Sequence, residues 1–259
     1  MGLIAVYCKP KHFYQKDEFM KVIVVENYQQ IGQQGAQIIA DVIKNNANAV
    51  LGLATGTSPI GIYQNLIAMC KNGEISFANV KTVNLDEYVG IDGNHPQSYR
   101  YFMNDNLFNH VDIDKSNTFV PNGVAENLQT ECARYTALVN NLVQDIQLLG
   151  IGSNGHIAFN EPGTLFDSTT HVVNLTENTI KDNSRLFEDI SQVPTKALTM
   201  GIANIMNAKS ILIVANGKNK AQAIYNMIKD PISPNCPASV LQNHPDVTVI
   251  VDKDAASLL

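Results

Sequence analysis

Short runs of almost uninterrupted apolar residues recur along the chain at 22–25, 48–54 (NAVLGLA), 80–85, 146–151, 210–215 (SILIVA) and 247–251 (VTVIV). A strand with one face in water alternates apolar and polar residues. Runs that are apolar at nearly every position need both faces covered, which is the mark of a parallel sheet lined by helices. The intervening segments supply those helices. Residues 28–44 put Ile31, Ile38, Ile39, Val42 and Ile43 on one side, and 59–69 turn Ile62, Leu66 and Ile67 inward. Helical patterns also cover 97–108, 128–143, 196–206 and 218–228. This alternation predicts an α/β fold: a three-layer, Rossmann-like, open and mostly parallel sheet with helices on both faces.

With 259 residues, 45% of them hydrophobic, the chain can bury a full core, and it shows no internal repeat, low-complexity tract or linker. A single domain over 20–259 is expected. Residues 1–19 mix Leu3, Ile4, Ala5 and Val6 with Lys9, Lys11 and Lys16, an apolar stretch too short for a secretory core and preceded by no basic segment. They read as a leader outside the fold, with the natural start at Met20. Residues 171–191 are polar, with Asn174, Asn178, Asp182, Asn183 and Asp189, and interrupt the alternation. A mobile lid around 171–200 and a plain surface excursion fit equally well.

The formal net charge of −6, with no block of lysines or arginines, excludes a nucleic-acid partner. A small anion remains possible where local cations gather. The four cysteines, Cys8, Cys70, Cys132 and Cys236, are scattered, so neither a metal-ligand pattern nor a disulfide framework is present and a reduced, cytoplasmic chain is expected. No apolar run approaches the roughly 18 residues of a membrane span.

Ligands of open α/β sheets bind beyond the carboxyl ends of the strands, so the residues that follow each run come first. After 146–151 come Gly152, Ser153, Asn154, Gly155 and His156, then Glu161 and Pro162. Glycines around Asn154 permit a positive φ and close approach of a ligand. His156 and Glu161 are candidate proton carriers, since imidazole titrates near neutrality and a neighbouring carboxylate fixes its tautomer. A hydrogen-bonded core histidine beside a turn is the other reading. After 80–85 stand Asp86 and Glu87, of which only one can point into a crevice. Burial there raises a carboxylate toward base-competent values, and Asp86, nearer the strand end, is favoured. The other serves as a salt-bridge or capping partner.

After 48–54 come Thr55, Gly56, Thr57, Ser58 and Pro59, with Ser58 placed to cap a helix and Pro59 to take its first position. Free N–H groups and hydroxyls at such a start can hold an anion, or the motif can be a cap alone. The loop lacks a Walker ending, and no dinucleotide fingerprint is present. After 210–215, Lys218 and Lys220 straddle a helix start, where lysine opposes the dipole. A bound phosphate would account for Lys220, while Lys218 reads as a solvated loop residue. Arg185, in NSRLF, could clamp phosphate with its fork of donors or lie on the surface.

Taken together, GLATGTSP, NLDEYVG followed by HPQSY, LGIGSNGHIAFNEPG, NSRLF followed by VPTKALTMG, and IVANGKNKA resemble, in order and register, the glucosamine-6-phosphate deaminases. The resemblance runs from about Met20 to the C-terminus, and Phe159 to Pro162 separates the deaminases from 6-phosphogluconolactonases of the same fold. It implies conversion of D-glucosamine 6-phosphate and water into D-fructose 6-phosphate and ammonia, without cofactor or metal. Carried over by motif, His156 assists ring opening, Glu161 orients and tunes it, and Asp86 abstracts the C2 proton. Thr55, Gly56, Thr57, Arg185 and Lys220 would hold the 6-phosphate, and the segment containing Arg185 matches the family's lid. Many members carry Asp where this chain has Asn154, which can orient His156 but lends it no charge. In long hexameric members, cations after the NEP motif and a C-terminal extension bind an activator. Here His171 and Val173 take those places, so no such activation is expected, and a monomer or small homo-oligomer acting on a sugar phosphate is. A lactonase or a sugar-phosphate sensor domain is the alternative.

Overall fold

The computed structural model describes residues 4–8, 20–176, 189 and 192–259. Seven parallel strands carry the architecture: β2 (Met20–Val25), β3 (Val50–Leu53), β4 (Lys81–Asn84), β6 (Thr118–Phe119), β7 (Ile146–Leu149), β10 (Ile211–Ala215) and β11 (Val247–Asp252). With β1 (Ile4–Cys8) added antiparallel at one edge, the sheet runs β1-β2-β11-β10-β7-β3-β4-β6. Every residue of β7 and β10 is buried, so both faces of the sheet centre are covered. That is why these strands read as unbroken apolar runs.

Helix α1 (Tyr28–Asn45) starts where the Asn27 side chain accepts the Gln30 N–H at 3.1 Å, and it lays Ile31, Ile39 and Ile43 against the core. It crosses α2 (Ile60–Lys71) at two glycines. A Cβ on Gly32 would lie 2.8 Å from the Gly61 carbonyl carbon, so the approach requires the missing side chain. Helix α4 (Leu128–Asn141) is capped by Asn127 and sends the Tyr135 hydroxyl to the Asn84 carbonyl at 2.6 Å. From β3 the chain moves outward to β4 and β6, then returns to β7 on the other side of β3 and continues to β10 and β11. Strand order therefore reverses between β3 and β7, where a crevice opens at the carboxyl ends.

A second, small sheet pairs β5 (Asp86–Tyr88), β9 (Lys196–Thr199) and β8 (His171–Asn174), all antiparallel in the order β5-β9-β8. It corrects the reading of 196–206 as one helix. Only Ile202–Met206 (α5) is helical, because pairing with β5 and β8 outweighs the helix preference of Ala197, Leu198 and Met200. The helix expected over 97–108 is α3 (Tyr99–Met103) running into a π-helical turn, Asn104–Phe108. Residues 4–8, expected outside the fold, are not: Ile4–Cys8 pairs with the open edge of β2, which a β-branched and aromatic run is suited to do. Ser58 is not a cap either. Helix α2 begins at Ile60, with Pro59 at its N-cap and no side-chain cap bond. Of the segment 171–200, the described parts build the small sheet, and 177–188 and 190–191 lie outside the described residues.

Candidate active site

Because β10, β7, β3 and β4 are neighbours and parallel, their carboxyl ends open at one edge of the sheet. A cavity of about 420 Å³ lies there, lined by Thr55, Gly56, Thr57 and Ser58 after β3, Asp86 after β4, Gly150 to Ser153 and His156 after β7, and Lys220 after β10. That size suits a small ligand. Thr55, Gly56, Thr57, Asp86, His156 and Lys220 thus share one space, while Asn154 and Glu161 stand beside His156. Arg185 lies outside the described residues.

On one wall, the chain leaves β4 at Asn84, turns at Leu85 and enters the small sheet at Asp86, which pairs with Thr199. Side chains alternate along a strand, so Asp86 and Glu87 face opposite ways. Glu87 is spent on structure: it accepts the N–H groups of Tyr88, Tyr99 and Arg100 at 2.8, 2.9 and 2.9 Å and so caps the start of α3. Burial raises its carboxyl, and those three donors pull the other way. Asp86 is buried at 6% exposure and accepts no hydrogen bond among the described residues. Burial, and then the neighbouring Glu87 charge, push its carboxyl up to about 8. Tyr99 and Phe159 close this side, their rings stacked 6.2 Å apart, with the Tyr99 hydroxyl donating to that of Tyr88 at 3.0 Å.

On the other wall, Gly152 and Gly155 serve different ends. Gly155 takes φ 85°, whereas Gly152 makes room: a Cβ there would lie 2.3 Å from His156 Cε1. The imidazole therefore lies flat on the backbone at Gly152. Its buried Nδ1 stands 3.3 Å from Glu161 Oε1, and the residue lines the cavity. Asn154 ties the group together, donating from Nδ2 to Glu161 Oε2 at 2.7 Å and accepting the His156 N–H at 3.2 Å. The imidazole and, less strongly, Asn154 hold the Glu161 carboxyl below its ordinary range against the effect of burial. Ala158 follows at φ 52°, a costly value for alanine, held by Asn160, whose Nδ2 donates to Ile157 O and Met200 O at 3.0 and 2.9 Å.

The floor is the loop from Thr55 to Ser58. The N–H groups of Gly56, Thr57 and Ser58 find no acceptor among the described residues, and Gly56 takes φ 88°. Lys220, half-buried at the start of α6 (Ala221–Lys229), faces this loop across the cavity, and burial lowers its ammonium. An anion between the loop and Lys220 would meet free donors and a cation short of solvent. Lys218 is exposed and outside the cavity lining. Among the described residues no three His, Cys, Asp or Glu side chains gather as a metal ion would require.

Two links escaped sequence reasoning. Thr199 pairs with Asp86 across the small sheet and accepts the Phe159 N–H at 3.1 Å, tying the two walls together. Its strand was hidden by a helix-favouring composition. Tyr99 carried a signal, since HPQSY follows NLDEYVG, but nothing in that spacing marks it as a cavity wall.

The profile of the family described as glucosamine-6-phosphate isomerases/6-phosphogluconolactonase matches residues 25–250. The chain belongs to this family. Within it, the chain is 52% identical over 241 residues to a glucosamine-6-phosphate deaminase of Thermoanaerobacter pseudethanolicus, covering 93% of this chain and 95% of that one. It is also 52% identical to the enzyme of that name from Clostridium perfringens strain ATCC 13124, covering 93% and 100%. A solved structure described as a monomeric glucosamine-6-phosphate deaminase superposes with a TM-score of 0.89 at 51% identity, covering 93% of this chain and 100% of that one. A 6-phosphogluconolactonase from Leishmania guyanensis, at 19% identity and a TM-score of 0.69 over 91% and 97%, shares the fold.

Proposed function

We propose that this chain converts D-glucosamine 6-phosphate and water into D-fructose 6-phosphate and ammonia, with Asp86 and His156 working from opposite walls of one cavity. One observation carries the reading: a buried carboxylate raised to about 8 and a carboxylate-backed imidazole line the same space as an anion cradle. Thr55, Gly56 and Thr57 with Lys220 hold the 6-phosphate. His156 carries a proton through Nε2 from the anomeric hydroxyl to the ring oxygen, and Glu161 stabilises the imidazolium formed on the way. Asn154 keeps that pair in register.

Ring opening makes C1 an aldehyde, and the C2 proton becomes acidic. Asp86 removes it to give the enol. The proton returns at C1, leaving an imine at C2 whose hydrolysis releases ammonia. A strongly basic carboxylate suits the abstraction better than an ordinary one. The chain acts as a monomer, as does the structural neighbour described in those words, and it works in the cytoplasm without an amino-sugar phosphate activator. No described helix is long and apolar enough to cross a membrane.

The test is ammonia release from glucosamine 6-phosphate by purified protein in excess chelator, alongside hydrolysis of 6-phosphogluconolactone. Steady ammonia production with no lactonase activity is expected. Lactone hydrolysis without ammonia would transfer the chain to the lactonase branch of the family.

A further inference from the structure

We infer that Tyr28 is a positioning residue for the anion cradle: its hydroxyl fixes the plane of the Thr57–Ser58 peptide so that the Ser58 N–H is presented to the bound phosphate. Tyr28 is the first residue of α1, and that helix start is held twice, by the Asn27 cap and by Gln30 Oε1, which accepts the Glu26 N–H at 3.0 Å. The close crossing at Gly32 and Gly61 brings it beside the first turn of α2. There the Tyr28 hydroxyl accepts the Gly61 N–H at 2.9 Å and donates to the Thr57 carbonyl at 2.7 Å.

Two consequences follow from peptide geometry. No peptide bond in the described chain is cis, and across a trans bond the C=O and the next N–H point in opposite directions. Holding Thr57 O on the side of Tyr28 therefore aims the Ser58 N–H the other way. Thr57 and Ser58 line the cavity and Tyr28 does not, so the carbonyl that would repel an anion is kept on the far side of the loop. The same hydroxyl satisfies the Gly61 N–H, one of the orphan donors of the helix start, and leaves those of Gly56, Thr57 and Ser58 for the ligand. This inference rests on reading the loop as a phosphate cradle.

The experiment compares the full-length chain, Tyr28→Phe and Asn27→Ala by calorimetric titration with inorganic phosphate, by melting, and by kcat and KM for glucosamine 6-phosphate. Tyr28→Phe keeps the ring and should weaken phosphate about three- to tenfold, the range expected for one hydrogen-bonded linkage, and raise KM in parallel. Its kcat should stay within about twofold and its pH profile unchanged. Asn27→Ala loosens the same helix without touching the hydroxyl, and should lower the melting temperature while leaving phosphate affinity intact. Equal phosphate affinity in Tyr28→Phe and the wild type overturns the inference, as does an equal loss in Asn27→Ala. A wild type that binds neither phosphate nor glucosamine 6-phosphate removes the cradle itself, and the inference with it.

Discussion

The two walls of the cavity treat the same functional group in opposite ways. Asp86 sits where the large sheet hands the chain to the small one, buried and with no hydrogen-bond donor among the described residues, and its carboxyl is pushed up to about 8. Glu161 sits on an irregular loop, part exposed, beside an imidazole and an amide donor, and its carboxyl is held below the ordinary range. Environments that push two carboxyls apart separate their tasks. The raised one is a strong base that must find its moment to ionise, and the lowered one is a standing negative charge. Glu87 shows that position in sequence does not decide this. It is the neighbour of Asp86 and as deeply buried, yet it accepts three backbone N–H groups, two of them at the start of α3.

The largest effect should come from the Asp86 wall. Asp86→Asn is expected to bind glucosamine 6-phosphate normally and to lose turnover by about a hundredfold or more, the scale of a missing general base. Unchanged turnover in a steady-state ammonia assay would take Asp86 out of the chemistry. Glu161→Gln should cost less, about tenfold in kcat, because the amide still orients His156 but no longer stabilises its cation. A loss as deep as that of Asp86→Asn would mean that the walls do not divide the work as proposed.

A smaller effect distinguishes burial from chemistry. The folded-state value for Asp86 lies above its unfolded value of about 3.9, so the protonated group favours the fold below that value and the benefit is lost as pH rises toward about 8. Asp86→Asn, which never ionises, should therefore melt above the wild type at pH 9, with the gap closing as pH falls toward 5. For a chain of this size a melting shift of about 2–4 °C corresponds to about 1 kcal/mol. A gap that is constant with pH would place the Asp86 carboxyl in contact with water.

Most of the large sheet was legible because β7 and β10 are buried at every position and announce it in their composition. Helices with a consistent apolar side, such as α1, were legible for the same reason. The small sheet was not. Its strands are three or four residues long and exist only through pairings between distant segments, Asp86 with Thr199 and His171 with Thr199. The residues at strand ends could be named in advance because a parallel sheet puts all of its carboxyl ends on one side. What could not be named were the residues that aim them. Thr199 was hidden in an apparent helix, and Tyr28 reaches across 29 and 33 positions to Thr57 and Gly61 with nothing local to mark it.

The opposed carboxyls can be observed directly. Carbon-13 labelling of the Asp and Glu carboxyls, followed by an NMR pH titration of the wild type, Asp86→Asn and Glu161→Gln, should show one aspartate resonance titrating toward about 8 that is missing from Asp86→Asn, and a glutamate titrating below the ordinary range that is missing from Glu161→Gln. If the resonance lost in Asp86→Asn instead titrates near 4, the buried base does not exist and the division between the walls falls with it.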